Sequence, residues 1–305
     1  MKRAFTLLEV IVVIVVLGIV AAISAEIIAK MYERYLLNRG ISRLESKTQQ
    51  ALDIIAKRLQ YRVKETAIAR ISSTPGSGFK ALADANDSYR ILEWFGYDND
   101  GRLGKGVSGY NVPGWSGFCD LIPSNGTTIV SPGSHFNSVE KQISEALTQD
   151  VSIDGSRAQL PAVIFKGSRG ELNVTKFGWG GGDHNYSIRV RSTGETTLQM
   201  LEKPAFISER YLLVLSAFAL IPVGGDCTAA LPQDCNLSLY YDFQPWEGET
   251  VNSANVKQSL LIDHITTFRF RQNGRTIHIK LCAMDAGLNR YLEENVSICK
   301  ERVVY

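Results

Sequence analysis

Four histidines, His135, His184, His264 and His278, are the first place to look for acid–base or metal chemistry. None stands in an HExxH pattern, and the chain has no CxxC or GxSxG. His184 follows Asp183, but no third ligand stands at a metal-binding spacing, so the two read as a surface pair. The stretch Gly178-Trp179-Gly180-Gly181-Gly182-Asp183 lacks the Lys-Ser/Thr ending of a phosphate-binding loop and reads as a turn. Asp98-Asn99-Asp100-Gly101 clusters oxygen ligands and is the one calcium candidate, through Asp98 and Asp100. In the register of a calcium loop, however, the first and last ligand positions fall on Gly96 and Val107, which carry no carboxylate. No catalytic constellation can be assembled, and the sequence predicts a protein that is not an enzyme and needs no cofactor.

The residue whose setting demands chemistry is Glu9. It lies inside an apolar segment that runs from Phe5 to Ala25, about 21 residues and roughly 31 Å as a helix, close to one hydrocarbon thickness. Val10 to Val16 is entirely β-branched, which in water favours a strand. In lipid every backbone N–H and C=O must be satisfied within the segment, so the segment is predicted to be a transmembrane helix. A carboxylate there costs a few kcal/mol and needs a cationic partner. An ordinary signal peptide fits poorly, because the basic leader is short and no A-x-A-like site follows the apolar run.

The opening Lys2-Arg3-Ala4-Phe5-Thr6-Leu7-Leu8-Glu9 resembles the class III signal of type IV prepilins and type II secretion pseudopilins. The resemblance implies cleavage of the Ala4–Phe5 bond by a membrane prepilin peptidase and N-methylation of Phe5. It implies that Glu9 compensates the N-terminal amine of a neighbouring subunit during assembly. Ala4 departs from the family's usual glycine. The retained Glu9 and the large remainder of the chain look closest to J-type minor pseudopilins, since the K type usually lacks this acid.

Beyond Ala25 the pattern turns one-sided. Leu37, Ile41, Leu44, Thr48, Leu52, Ile55, Leu59 and Val63 recur at steps of three and four, with Thr48 alone polar. The helix is therefore expected to continue over 26–71, ended by the Ser72–Gly78 cluster. Lys30, Arg34, Arg39 and Arg43 oppose a simple positive-inside reading, while Lys2 and Arg3 favour a cytoplasmic N-terminus.

Residues 72–305 are expected to form a β-rich globular domain, with Gly96 to Gly133 as long loops. Strands are predicted at Tyr211–Ile221, Leu237–Phe243, Ser259–Ile262, Thr266–Arg271 and Thr276–Cys282. Asn273-Gly274 between two alternating runs is a strong hairpin signal. The fold class is thus α+β: a long N-terminal helix packed on an antiparallel sheet, pilin-like with large insertions. The hairpin's outer side carries Arg269, Arg271, Arg275, His278 and Lys280. A net charge of +2, from 33 basic and 31 acidic residues, favours a solvated sheet face over a nucleic-acid site.

Proximity in sequence pairs Cys227 with Cys235 and Cys282 with Cys299, leaving Cys119 alone, although four cysteines permit three pairings. The Cys282–Cys299 loop resembles the C-terminal disulfide of many pilins. Asn-x-Ser/Thr sequons stand at Asn125, Asn173, Asn185, Asn236 and Asn295. At the last four, an acid (Glu171, Asp183, Asp234 or Glu293) stands two residues upstream, as some bacterial periplasmic N-glycosylation systems require.

These features lead to one expectation of function: a minor pilin or pseudopilin that primes or caps a type IV pilus-like or type II secretion filament. It would sit in the bacterial inner membrane with its domain in the periplasm. Its partners would be the prepilin peptidase, other pilins and membrane lipid. The alternative is a pilus-tip binding module, an adhesin or DNA-uptake receptor, on a pilin anchor.

Overall fold

A computed structural model describes residues 6–74, 77–104, 112–137, 139, 151–167, 173–224, 235–285 and 297–305. One helix, α1 (Leu7–Gln60), spans 54 residues, roughly 81 Å. Its predicted stripe is the buried face: Leu44, Thr48, Leu52, Ile55 and Leu59 all lose solvent contact against the sheet. Thr48 is tolerated there because its hydroxyl donates to the Leu44 carbonyl (2.8 Å), which satisfies its polar atom within the helix.

The helix stops at Gln60, short of the expected end near Ile71, and the residues just past Gln60 account for the difference. Arg62 is buried and donates to the carbonyls of Leu59 (2.8 Å) and Arg275 (2.9 Å) and to the Tyr305 main-chain oxygen (3.2 Å). It satisfies a free C-terminal helix carbonyl and pins the helix end to the sheet. Ile68, Ala69 and Arg70 are then buried on both faces, a demand that a strand meets and a one-sided helix does not.

The strands among the described residues are β1 (Ile68–Arg70), β2 (Phe79–Ala81), β3 (Ile91–Tyr97), β4 (Thr128–Val130), β5 (Ala162–Lys166) and β6 (Ile188–Ser192). They continue with β7 (Thr197–Met200), β8 (Arg210–Val223), β9 (Cys235–Phe243), β10 (Lys257–Asn273), β11 (Thr276–Met284) and β12 (Ser297–Val304). Pairing runs β12-β11-β10-β9-β8-β5-β6-β7-β4, with β3 and then β1 and β2 branching from β8. Every ladder between these strands is antiparallel. The long β8 shares one edge between β3 and β5 and gives the other to β9.

Two predicted strands, Ser259–Ile262 and Thr266–Arg271, are one strand here. Between them the register of β10 shifts and His264 takes a positive φ of 50°, a bulge that breaks the alternation visible in the sequence. The Gly96–Gly133 stretch also departs from the loop expectation. It contributes a short helix, α2 (Asn99–Leu103), strand β4, and the fully buried Trp115, Cys119 and Ile129.

The core has three parts. On the α1 side, Leu52, Ile55 and Leu59 pack with Trp94, Leu220 and Leu281. On the opposite face, Phe95, Trp179 and Trp246 form an aromatic cluster, with ring centroids 4.6 and 5.0 Å from Phe95. Around β4 to β7, Trp115, Phe136, Ile188 and Leu198 fill a third. Strand β3 serves both faces, with Leu92 and Trp94 towards α1 and Ile91 and Phe95 away from it.

Candidate functional site: an N-terminal helix without internal partners

The first thirty residues of α1 touch nothing that would cover them. Leu7 is 79% exposed, and the large apolar side chains from Val10 to Tyr35 are exposed in the same way. The helix is long and apolar enough to cross a membrane. Such a surface is not stable in water, so lipid or other copies of a similar helix must cover it.

Glu9 sits in the first turn. Thr6 is the N-cap, in extended geometry, and its hydroxyl accepts from the Glu9 N–H at 3.4 Å. Thr6-x-x-Glu9 has the spacing of a capping box, and an acid in the first turn is favourable beside the positive end of the helix dipole. The Glu9 carboxylate makes no ion pair or hydrogen bond among the described residues. Ala4 and Phe5, with the rest of the leader, lie outside the described residues.

The second half of α1 is anchored through charges as well as its apolar face. Lys300 of β12 meets Glu45 at 3.0 Å, Arg302 meets Asp53 at 3.5 Å, and Lys47 pairs with Asp263 of β10. These are exposed contacts worth a few tenths of a kcal/mol each, so they orient the helix more than they hold it.

The remaining sequence candidates separate clearly. Asp98 is the N-cap of α2: its Oδ1 accepts from the Gly101 N–H (2.9 Å), and its main-chain oxygen accepts from the Trp115 indole (2.9 Å). Burial raises its pKa to about 6. Asp100 stands in the first turn of the same helix. Among the described residues no three of His, Cys, Asp or Glu come together as a group that could hold a metal ion. Asp183 accepts from Lys176 (2.7 Å), and that hydrogen bond holds its carboxyl below the usual range.

Cys282 and Cys299 lie directly opposite each other on β11 and β12 and form a disulfide. Cys235 is disulfide-bonded; Cys227 lies outside the described residues. Cys119 is a buried free thiol. On the basic strip, Arg269 faces Lys280 and Arg271 faces His278 across the ladder, an unfavourable arrangement on its own. Part of it is offset locally: Lys280 meets Glu301 at 3.2 Å, and Arg269 donates to the Asp87 carbonyl.

Of the sequon asparagines, Asn125 and Asn173 are exposed and Asn185 and Asn236 are half-buried, while Asn295 lies outside the described residues. The Asn185 side-chain amide donates to Asp183 (3.2 Å), and its partner Ser187 is buried with its hydroxyl on the Phe177 carbonyl (2.9 Å). Asn236 stands in β9, and its partner Ser238 is buried. Sequence reading missed a further sequon, Asn86-Asp87-Ser88, with Asp84 two residues upstream. The same three-residue pattern with its upstream acid is the signal that finds it.

Residues 1–25 match the prokaryotic N-terminal methylation motif. That motif is typical of type IV pilins and pseudopilins, whose members are in general non-enzymatic structural subunits, and it implies processing by a prepilin peptidase. The chain joins that motif to a long apolar N-terminal helix packed on a large antiparallel sheet, a pilin-like α+β architecture. No curated protein and no solved structure gives a match to the chain.

Proposed function

We propose that this chain is a minor pilin or pseudopilin, closest to the J type, that primes or caps a type IV pilus-like or type II secretion filament. The observation that carries this reading is the uncovered N-terminal part of α1, headed by the methylation motif and holding within its apolar span a carboxylate, Glu9, that has no partner among the described residues. A helix of that kind is complete only in a bundle of like helices. In this reading Ala4–Phe5 is cut, Phe5 is methylated, and Glu9 meets the Phe5 amine of a neighbour in a low-dielectric setting, where the pair is strong. The chain starts in the inner membrane with its N-terminus cytoplasmic and its sheet domain periplasmic.

A large domain beyond the helix favours a minor position near the filament tip over a repeating one. The test is a Glu9→Gln chain in the native host, scored for processing and for cross-linking to other pilins. The proposal expects normal cleavage with lost cross-links, and loss of the assembled filament on deletion. Unchanged cross-links in Glu9→Gln, or loss of adhesion or DNA uptake on deletion with the filament still assembled, would contradict it.

A further inference from the structure

Asp84-Ala85-Asn86-Asp87-Ser88 forms the turn between a single 3-10 turn (Leu82–Asp84) and β3, and Asp84, Asn86 and Ser88 are all exposed there. Asn86 Oδ1 accepts from the Ser88 N–H at 3.0 Å, which leaves the amide nitrogen without a hydrogen-bond partner among the described residues. Asn173 has a matching arrangement. It is exposed, and its Oδ1 accepts from both the main-chain N–H (3.0 Å) and the hydroxyl (2.8 Å) of Thr175.

We infer that Asn86 and Asn173 are N-glycosylation sites of an acid-dependent oligosaccharyltransferase. This rests on the reading above that places the sheet domain outside the cytoplasm. The transferase must draw about five residues out into its own groove and reach an unencumbered amide nitrogen, which an exposed turn permits and a laddered strand does not. In the transfer, Asn Nδ2 bonds to the anomeric carbon of a polyprenyl-diphosphate-linked oligosaccharide. The bond from that carbon to the diphosphate oxygen breaks, the polyprenyl diphosphate leaves, and Nδ2 gives up one proton.

The chain contains its own control. Asn125 is exposed, and its Oδ1 accepts from Thr127 N–H (2.9 Å) and hydroxyl (2.9 Å), as that of Asn173 does from Thr175, with one further bond from Thr128 N–H (3.0 Å). Its residue two upstream is Pro123, where Asn86 has Asp84 and Asn173 has Glu171. Geometry is therefore held nearly constant while the acid changes. Asn185 and Asn236 reverse the comparison: each has the acid, but Asn185 is tied to Asp183 and Asn236 is built into β9.

The experiment is peptide mass spectrometry of the full chain from its native membrane, with the N-terminal peptide read in the same sample. The expected result is a glycan mass on the Asn86 and Asn173 peptides, none on Asn125, and at least tenfold lower occupancy at Asn185 and Asn236. Asp84→Asn should remove the mass from Asn86 and leave Asn173 occupied. A bare Asn86 in a chain that begins at methylated Phe5 overturns this inference and leaves the filament reading intact. A bare Asn86 in an unprocessed chain overturns both. Occupancy of Asn125 equal to that of Asn86 overturns the dependence on the acid.

Discussion

At the scale of single residues, two buried carboxylates lead to measurable consequences. Glu93 is enclosed on β3 and accepts from Arg70 Nε at 3.0 and 3.1 Å, while Arg70 donates a third bond to the Ser77 carbonyl (2.9 Å). Burial pushes the Glu93 carboxyl up despite that partner. Breaking such a pair from one side is costlier than removing it. Arg70→Met should therefore destabilise the domain by about 3–5 kcal/mol, and the double change Arg70→Met, Glu93→Leu should recover most of the loss. Urea titrations of both variants check this; equal loss in the two would contradict it. Asp98 gives a pH dependence. Its folded pKa is raised from 3.8 to about 6, so the proton is held more tightly in the folded chain. The associated stability is present below the unfolded value and is lost as pH rises through about 6. Asp98→Asn keeps a cap at that position and removes the titration. Its melting temperature relative to the parent should rise between about pH 4 and pH 7; a difference that stays flat would contradict the assignment.

At the scale of elements, α1 is two structures in one helix. The part before Leu36 contributes nothing to the fold of the chain that carries it, whereas Leu44 to Leu59 closes the core. A chain beginning at Met31 should fold with a melting temperature within about 2 °C of the full chain in detergent, since no buried contact is lost. A large drop would show that the exposed segment packs on the domain after all. The Cys282–Cys299 link closes a loop with a sequence separation of 17 and ties the edge strand β12 to β11. Replacing both cysteines by alanine should cost about 2–4 kcal/mol, read by denaturant titration against the parent; no change would mean that its ladder, Arg62 and the ion pairs to α1 hold β12 without the link. The helix stripe and the closing hairpin were legible in sequence because each buries one face only, so Phe268 and Ile279 alternate visibly with Arg269 and Lys280. Strand β3 was not legible: Ile91, Leu92, Trp94 and Phe95 put apolar side chains on both faces, and with a charged Glu93 between them the run shows no period to read. Strand β12 was hidden for the opposite reason. Lys300, Glu301 and Arg302 are charged in succession and show no apolar alternation, yet they are the charges that guard an edge and meet Glu45, Lys280 and Asp53. At the N-terminus the reading needed no fold at all, because a carboxylate in an apolar span is informative by composition alone.

At the scale of the whole molecule, the parts share a direction. The apolar end of α1 leaves the sheet, the anchored end is clasped by Arg62 to the hairpin turn and the end of the last strand, and two further cores pair sheet residues with residues of the connecting segments, away from the helix. That division suits a subunit whose helix is shared with others and whose domain is its own. Entry into a filament through a processed N-terminus is the proposal from which the rest follows. The deciding measurement is the N-terminal residue and intact mass of the protein from its native membrane, with and without the prepilin peptidase. The chain should begin at methylated Phe5 when the peptidase is present and at Met1 when it is absent. A chain that keeps Met1 in both, or is cut near Ala25 in both, would contradict it.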